Sequence, residues 1–246
     1  MKFDFLSESD QAYFIHKAST LVEALPYIRQ HTSKNIVIKY GGHAMGDVQL
    51  AQNFSKDIGL LKEVGINPIV VHGGGPQIEK MLKNKNIKSN FIEGLRITNK
   101  DTVKIVEEVL SNDVNKKIVN DINLSGGKAE SFSGNINNLI QATKFEMPLK
   151  NSDSNNKKIL DLGFVGKPVK INNELIEESI KKGNIPVIAP LGIDEKGNTY
   201  NINADTAAGF IAGSLKASKL LLLTDVAGIL DDNKQLISSL TFEEAK

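Results

Sequence analysis

The sequence predicts an α/β fold, a three-layer α/β/α sandwich around a mainly parallel central sheet. Short apolar runs typical of buried strands, such as residues 36–40 and 68–72, are each followed by a segment with helical periodicity. Glycine-rich turns directly follow three of these runs. Repeated strand–helix units favour parallel strands, which helices cover on both faces.

A helix precedes the first strand. Residues 16–30 carry apolar side chains at helical spacing, and Pro26 lies among them. Because proline disfavours helical angles in the residue before it, we expect an N-terminal kinked helix, either bent or broken at this point.

The remaining elements follow from periodicity and turn residues. We expect strands at residues 36–40, 68–72, 185–189 and 220–224, and helices at residues 48–64, 174–182 and 204–215. Pro76 is placed to open a further helix. Thr98 and Asp101 resemble a capping box before a long helix that Gly126 closes. We expect a surface loop at 151–158, a hairpin at 163–171 and a turn at 196–198.

Composition argues against several classes of protein. Thirty basic and 29 acidic side chains among 246 residues leave a net charge of +1, which gives no reason to expect a nucleic acid or an anionic membrane as partner. No cysteine is present, and the four histidines show no metal-ligand spacing, so no protein-bound metal is expected. The N-terminus lacks a secretory pattern and residues 220–223 are too short to span a bilayer, so we expect a cytoplasmic protein.

Three glycine-bearing turns follow predicted strands, where ligands gather in open parallel sheets. They are Lys39-Tyr40-Gly41-Gly42, His72-Gly73-Gly74-Gly75-Pro76 and Thr224-Asp225-Val226-Ala227-Gly228-Ile229. Glycine lets backbone N–H groups approach an anion closely, although it can equally serve only to make a tight turn. None of the three is a Walker A loop.

Four polar residues near these turns are candidates for chemistry. Lys39 ends a strand and could face a phosphoryl group, but position alone favours a solvated lysine. The guanidinium of Arg96 suits a carboxylate, but spacing alone favours a surface arginine. In Asn201-Ile202-Asn203-Ala204-Asp205, either Asn203 or Asp205 could cap the next helix, or Asn201 and Asp205 could serve the site.

Taken together, these motifs resemble the acetylglutamate kinases of the amino-acid kinase family. The similar segments are Ile36–Met45, His72–Pro76, Gly94-Leu95-Arg96-Ile97-Thr98, Leu162–Gly166, Asn201–Asp205 and Thr224–Leu230, in the order that the family has them. The resemblance extends over roughly residues 17–246. It implies transfer of the γ-phosphoryl group of ATP to the side-chain carboxylate of N-acetyl-L-glutamate, a step of arginine biosynthesis.

The resemblance also implies roles for particular residues. Lys39 would stabilise the transferring phosphoryl group and Asp205 would organise the catalytic lysines. Gly74, Gly75, Arg96 and Asn201 would bind acetylglutamate. Gly41 and Gly42 would contact the ATP phosphates, and the nucleotide would lie along Asp225, Val226, Ala227, Gly228, Ile229 and Leu230. Mg²⁺ would arrive with ATP, held largely by phosphates and water.

Domain organisation and assembly follow from the same resemblance. Residues 1–35 would form an N-terminal extension, 36–203 the lobe for the amino acid and dimerisation, and 204–246 part of the nucleotide lobe. The helix within residues 17–30 resembles the one that joins homodimers into a hexamer in arginine-inhibited members, so arginine is a candidate feedback inhibitor.

One departure concerns the end of the sequence. The family usually continues through a GGM-x-PK segment with a second phosphate-binding lysine, whereas this sequence ends at Lys246. We therefore expect an incomplete nucleotide lobe and slow turnover.

Several rival functions stay open. Glutamate 5-kinase, aspartokinase, carbamate kinase and uridylate kinase share the fold that the resemblance implies. A non-catalytic regulatory subunit with the same fold is a rival of a different class.

Overall fold

The computed structural model describes residues 7–148 and 159–245, which form an α/β fold around a five-stranded sheet with the order β11-β1-β2-β8-β5. Every neighbouring pair in this sheet is parallel. Its strands are β1 (Asn35–Tyr40), β2 (Asn67–His72), β5 (Ala129–Ser133), β8 (Ile185–Ala189) and β11 (Lys219–Leu222).

Helices cover both faces of the central sheet, as the sequence predicts. Ile36 and Ile38 of β1 pack against helices α2 (Val48–Glu63), α3 (Gly75–Asn84), α4 (Lys100–Glu108) and α5 (Asn115–Leu124). Val37 faces the other way, into a core that contains α6 (Asn173–Lys181) and α7 (Ala204–Ser214). This alternation of side chains along β1 follows from the two-residue period of a strand, and it determines which face each later side chain reaches.

Most of the expected elements are confirmed to within a residue or two. The strand expected at 220–224 is the least accurate, because β11 ends at Leu222 and the chain then leaves the sheet. The turn at 196–198 is present, with Gly197 at φ 82°. The surface loop expected at 151–158 lies outside the described residues.

The prediction of a hairpin at 163–171 is wrong. These residues belong to one long strand, β7 (Ile159–Ile171), which pairs antiparallel with β6 (Ile140–Pro148). Together with β9 (Leu191–Ile193) and β10 (Thr199–Asn201) they form a closed four-stranded sheet. Gly163 does not make a hairpin turn. A Cβ there would overlap the carbonyl oxygen of Thr98, so the glycine marks a close approach of two backbones.

A short antiparallel ribbon lies between α3 and α4. It consists of β3 (Phe91–Ile92) and β4 (Leu95–Arg96), with Phe91 opposite Arg96.

The N-terminal helix α1 (Glu8–His31) begins eight residues before the expected start and is not broken at Pro26. Proline removes its own N–H bond, but the turns on either side continue the helix. None of the residues of α1 is buried, although the helix carries many large apolar side chains. Those that are most exposed are Tyr13, Phe14, Ile15, Leu21, Val22, Leu25 and Tyr27.

The long helix after Thr98 differs from the prediction in two ways. Its cap is Asn99, whose side chain accepts from the N–H groups of Asp101 and Thr102, whereas the Thr98 hydroxyl donates to the carbonyl of Arg96. In addition, α4 and α5 are separated by a π turn (Val109–Val114). A π turn adds a residue to the helical repeat, so the buried stripe changes register in mid-helix.

No helix among residues 7–148 and 159–245 is both long enough and apolar enough to cross a bilayer.

Candidate active site

Lys39 and Asp205 meet at the carboxyl edge of the central sheet. Lys39 points to the same face as Val37, because the two residues are two positions apart on β1. Helix α7 covers that face and brings Asp205 of its first turn to 3.1 Å from the Lys39 ammonium. The Lys39 side chain is only 15% exposed, so it is not the solvated lysine that position alone favours.

The turn after β1 lies against this lysine. A Cβ at Gly41 would lie 3.1 Å from Nζ of Lys39, and a Cβ at Gly42 would overlap the carboxylate of Asp225. Gly42 also has φ 70°, which favours glycine. Glycine at position 41 therefore keeps the space beside the ammonium group open, and glycine at position 42 makes room for the Asp225 carboxylate.

Asp225, in the third glycine turn, lies against Gly42 of the first turn. Farther along, the contacts found among the described residues are local. The carbonyl of Ile229 accepts from the N–H of Ile237, and Leu230 forms a bridge with Leu236. Val226 and Ile229 are largely exposed.

A cavity of about 150 Å³ lies beside the Lys39–Asp205 pair. It brings together all four residues that the sequence analysis assigned to the amino-acid substrate. Its lining includes Gly74, Gly75, Arg96 and Asn201, together with Leu110, Val165, Pro190, Asn203 and Ala204. Ala204 directly precedes Asp205, so the wall of the cavity adjoins the residue that pairs with Lys39.

The Gly73–Gly75 turn, which lines the cavity, is coupled to the turn after β1. Strands β1 and β2 pair with Tyr40 opposite His72, and the N–H of Gly73 then donates to the Tyr40 carbonyl at 2.7 Å. Helix α3 begins at Gly75, and its cap residue Gly74 offers no side chain to the free N–H groups of the first turn. Those groups and the helix dipole favour a bound anion.

Arg96 is buried, with 6% exposure, so the surface alternative that its spacing favoured is wrong. Its Nη1 donates to Glu79 at 2.7 Å and to Ser89, and its Nη2 donates to the Gly75 carbonyl at 3.3 Å. The guanidinium also lies 4.4 Å from the ring centre of Phe91. These contacts fix the guanidinium plane, and the hydrogen bond from Arg96 lowers the pKa of Glu79.

The alternatives for the segment before α7 are resolved. Asn203 is the helix cap and accepts from the N–H of Thr206 at 3.0 Å. Asp205 does not cap the helix, and its carboxylate is available to Lys39. Asn201 lies on β10, at the wall of the cavity.

Sequence reasoning missed the residues that support the site. Glu79 and Ser89 hold Arg96, but their distances of 17 and 7 residues along the chain give no local signal. The sequence places His72 at the start of a glycine turn but indicates no role for its side chain, and Asn115 lies within an apolar helical stripe. Both are fully buried, and a polar residue beside an apolar helix stripe was the one available signal.

Burial lowers the pKa of His72 to about 4, although its hydrogen bond to the Gly73 carbonyl opposes the shift. The folded chain therefore keeps this imidazole neutral at pH values where the unfolded chain, with a pKa of 6.5, binds a proton. Because the unfolded state binds more protons below pH 6.5, stability falls as the pH falls from about 6.5 towards 4.

We therefore expect the free energy of unfolding to decrease by about 1.5–2 kcal/mol between pH 6.5 and 5, since each pH unit below the unfolded pKa costs about 1.4 kcal/mol. Urea unfolding across this range measures the change. In His72→Asn, which cannot titrate there, the decrease attributable to this group should vanish. An equal slope in both proteins would contradict the assignment.

Acetylglutamate kinases are among the known proteins to which this chain is similar. The acetylglutamate kinase of Rhodospirillum rubrum is 54% identical over 233 residues, which are 95% of this chain and 75% of that protein. The acetylglutamate kinase of Solidesulfovibrio magneticus is 56% identical over 229 residues, which are 93% of this chain and 77% of that protein.

Solved structures share the fold. The N-acetylglutamate synthase of Neisseria gonorrhoeae, solved with coenzyme A and N-acetylglutamate, has a TM-score of 0.75 at 25% identity. The match covers 93% of this chain, which spans about half (50%) of the synthase. A carbamate kinase of Giardia, with a TM-score of 0.50 and 15% identity over 79% of this chain and 75% of its own, shows the fold alone.

The profile of the amino acid kinase family matches residues 34–246, which include the central sheet, all three glycine turns, the Arg96 cavity and helix α7. The chain therefore belongs to the amino acid kinase family.

Proposed function

We propose that this chain transfers the γ-phosphoryl group of ATP to the side-chain carboxylate of N-acetyl-L-glutamate and yields N-acetyl-L-glutamyl 5-phosphate, a step of arginine biosynthesis. Relatives that are 54% and 56% identical over more than nine-tenths of the chain are acetylglutamate kinases. The observation that carries the proposal is the cavity with buried Arg96 beside the Lys39–Asp205 pair.

The substrate side of the site fits a dicarboxylate. Arg96 would bind the α-carboxylate, because a guanidinium held by Glu79 and Phe91 is pre-oriented for a planar anion. Gly74 and Gly75 would donate backbone N–H groups, and Asn201 would complete the pocket. The side-chain carboxylate would then point towards Lys39.

The nucleotide side of the site fits phosphates. Gly41 leaves the space beside the Lys39 ammonium open, and Gly42 leaves room for the Asp225 carboxylate, so side chains at these positions would crowd Lys39 and Asp225 respectively. ATP would place its phosphates along this turn and its remaining parts along Asp225 to Leu230. Mg²⁺ would accompany ATP and be held largely by phosphate oxygens and water.

Phosphoryl transfer requires little covalent chemistry from the protein itself. A side-chain carboxylate oxygen of acetylglutamate forms a bond to the γ-phosphorus while the bond to the β,γ-bridging oxygen breaks, and ADP leaves. Lys39 stabilises the negative charge on the transferring group, and Asp205 holds the ammonium in place at 3.1 Å.

The rival acceptors differ in what they offer to Arg96. Glutamate and aspartate carry an α-ammonium group that acetylation removes, whereas carbamate and uridine monophosphate lack an α-carboxylate altogether. A non-catalytic regulatory subunit would need the cavity but not the Lys39–Asp205 pair. The presence of both features together favours a kinase whose acceptor carries an α-carboxylate, and the similarity to acetylglutamate kinases favours acetylglutamate among such acceptors.

We also propose that α1 assembles dimers into a hexamer and contributes to a site for arginine as a feedback inhibitor. The support is a 24-residue helix with no buried residue and a surface rich in exposed aromatic and aliphatic side chains. Such a surface is typical of an interface.

Arg96→Lys should raise the KM for acetylglutamate about 10- to 100-fold and leave the KM for ATP within about twofold. A lysine cannot reproduce the fork, and losing a charge-assisted pair costs about 1.5–3 kcal/mol. Steady-state kinetics with each substrate varied in turn measure the effect. Arg29→Lys, on exposed α1, is the matched control, and equal changes in both KM values would count against the assignment.

Lys39→Ala should lower kcat by about 10²- to 10³-fold, as expected for the loss of one group that stabilises the transition state. Binding of both substrates should weaken less. Lys219→Ala, an exposed lysine at the opposite end of the sheet, should behave like the wild type. An unchanged kcat in Lys39→Ala would remove this residue from the mechanism.

Replacement of Leu21, Val22 and Leu25 with serine should reduce a hexamer to dimers without unfolding the core, because none of these residues is buried within the chain. Light scattering gives the mass, and Ser19→Ala on the same helix is the control. An identical mass for the triple variant and the wild type would argue against an interface on α1.

A further inference from the structure

His72 and Asn115 form a buried polar pair directly behind the Gly73–Gly75 turn. Both are fully buried. The Nδ1 of His72 lies 2.7 Å from the Gly73 carbonyl oxygen, and its Nε2 lies 3.1 Å from Nδ2 of Asn115. Since a carbonyl can only accept, Nδ1 carries the proton, and Nε2 accepts from Asn115.

Asn115 is tied to two strands of the central sheet. Its amide nitrogen lies 2.9 Å from the Val187 carbonyl oxygen of β8 and 3.2 Å from the Phe132 carbonyl oxygen of β5. Its amide oxygen accepts from the Ser131 hydroxyl at 2.6 Å. These contacts fix the position of the His72 ring relative to β5 and β8, two strands that do not carry the turn.

The π turn places Asn115 where this is possible. Residues Val109–Val114 form the turn, and Asn115 follows it directly. The same turn puts Leu110 and Val114 against the glycine loop. A Cβ at Gly74 would lie 2.5 Å from Leu110 and 3.5 Å from Val114. The loop is therefore held by a hydrogen bond at Gly73 and by close packing at Gly74.

A packing role alone does not explain this choice of residues. Burial of an imidazole and an amide carries a desolvation cost that an apolar pair of similar size would avoid. Their hydrogen bonds instead have directions, and a satisfied polar network fixes one geometry of the groups around it. The group fixed here is the Gly73 carbonyl, one residue before the N–H groups that border the Arg96 cavity.

We propose that Asn115 and His72 are positioning residues that set the Gly73–Gly75 turn for binding of the amino-acid substrate. They act through the backbone, because both are fully buried and neither lines the cavity, whereas Gly73, Gly74 and Gly75 do. The identity of the ligand rests on the proposed function, and the role in positioning the turn rests on the contacts above.

The test uses two variants that each keep one of the two hydrogen bonds. The amide nitrogen of asparagine lies two bonds beyond Cβ, as Nδ1 does, so His72→Asn keeps the bond to Gly73. The amide of glutamine lies three bonds beyond Cβ, as Nε2 does, so His72→Gln keeps the bond to Asn115 and loses the one to the turn. Both variants lose the imidazole, so a general packing defect should affect them alike.

For His72→Gln we expect the KM for acetylglutamate to rise about 3- to 10-fold, the ratio for loss of one neutral hydrogen bond, with the KM for ATP within about twofold. His72→Asn keeps the bond to the turn but loses the one to Asn115, so its KM for acetylglutamate should rise by less than that of His72→Gln, again with the KM for ATP within about twofold. Equal increases in both variants, or parallel increases for both substrates, would overturn the positioning role. A wild-type protein inert towards acetylglutamate would instead refute the proposed function and the ligand named here.

Hydrogen exchange of the Gly73 amide gives a readout that needs no substrate. In the wild type this N–H is bonded to the Tyr40 carbonyl. Its exchange should accelerate more in His72→Gln than in His72→Asn, while amides of α6 stay unchanged in both. Acceleration throughout the chain in His72→Gln would mean that the residue supports the fold rather than the turn.

Discussion

The parallel pairing of β1 with β2 is the constraint on which the site depends. It places Tyr40 opposite His72, so the two glycine turns leave the sheet side by side and share a hydrogen bond of 2.7 Å between Gly73 and Tyr40. Parallel strands end at the same edge, which is where anionic ligands can meet backbone N–H groups and helix N-termini. The proposed phosphate side and the proposed amino-acid side of the site are thus neighbours because the strands are neighbours.

The two-residue period of β1 then determines the face of the sheet to which Lys39 points. Lys39 points towards α7 because Val37 does, and there Asp205 meets it. Arg96 comes from outside the sheet, on the short ribbon β3–β4, and depends on Glu79 of α3 for its position. The site therefore combines a lysine whose placement follows from the sheet with an arginine whose placement follows from the docking of two surface elements. Such a division suits a family that keeps one phosphoryl-transfer site and varies the acceptor.

Local patterns predicted the central sheet well because its strands are short apolar runs followed by glycine turns. They failed for β7, where Gly163 reads as a turn although it marks the approach of a second backbone. They also did not predict that Arg96 is buried, because its burial depends on partners that are distant in sequence. Periodicity likewise could not predict the π turn before Asn115, because the same stripe of apolar residues fits an unbroken helix equally well. Local sequence patterns could not predict contacts between elements, and such contacts hold the side chains of the candidate site in place.

The most direct test of the account is a comparison of phosphoryl acceptors. The protein would be incubated with radiolabelled [γ-³²P]ATP, Mg²⁺ and one acceptor at a time, and the acyl phosphate would be trapped with hydroxylamine. N-acetyl-L-glutamate should yield the 5-hydroxamate with matching release of ADP. Glutamate, aspartate, carbamate and uridine monophosphate should release no ADP above the background without acceptor, a readout that also covers uridine monophosphate, whose product hydroxylamine does not trap. Faster transfer to any of these four acceptors would contradict the central claim that the Arg96 cavity selects acetylglutamate.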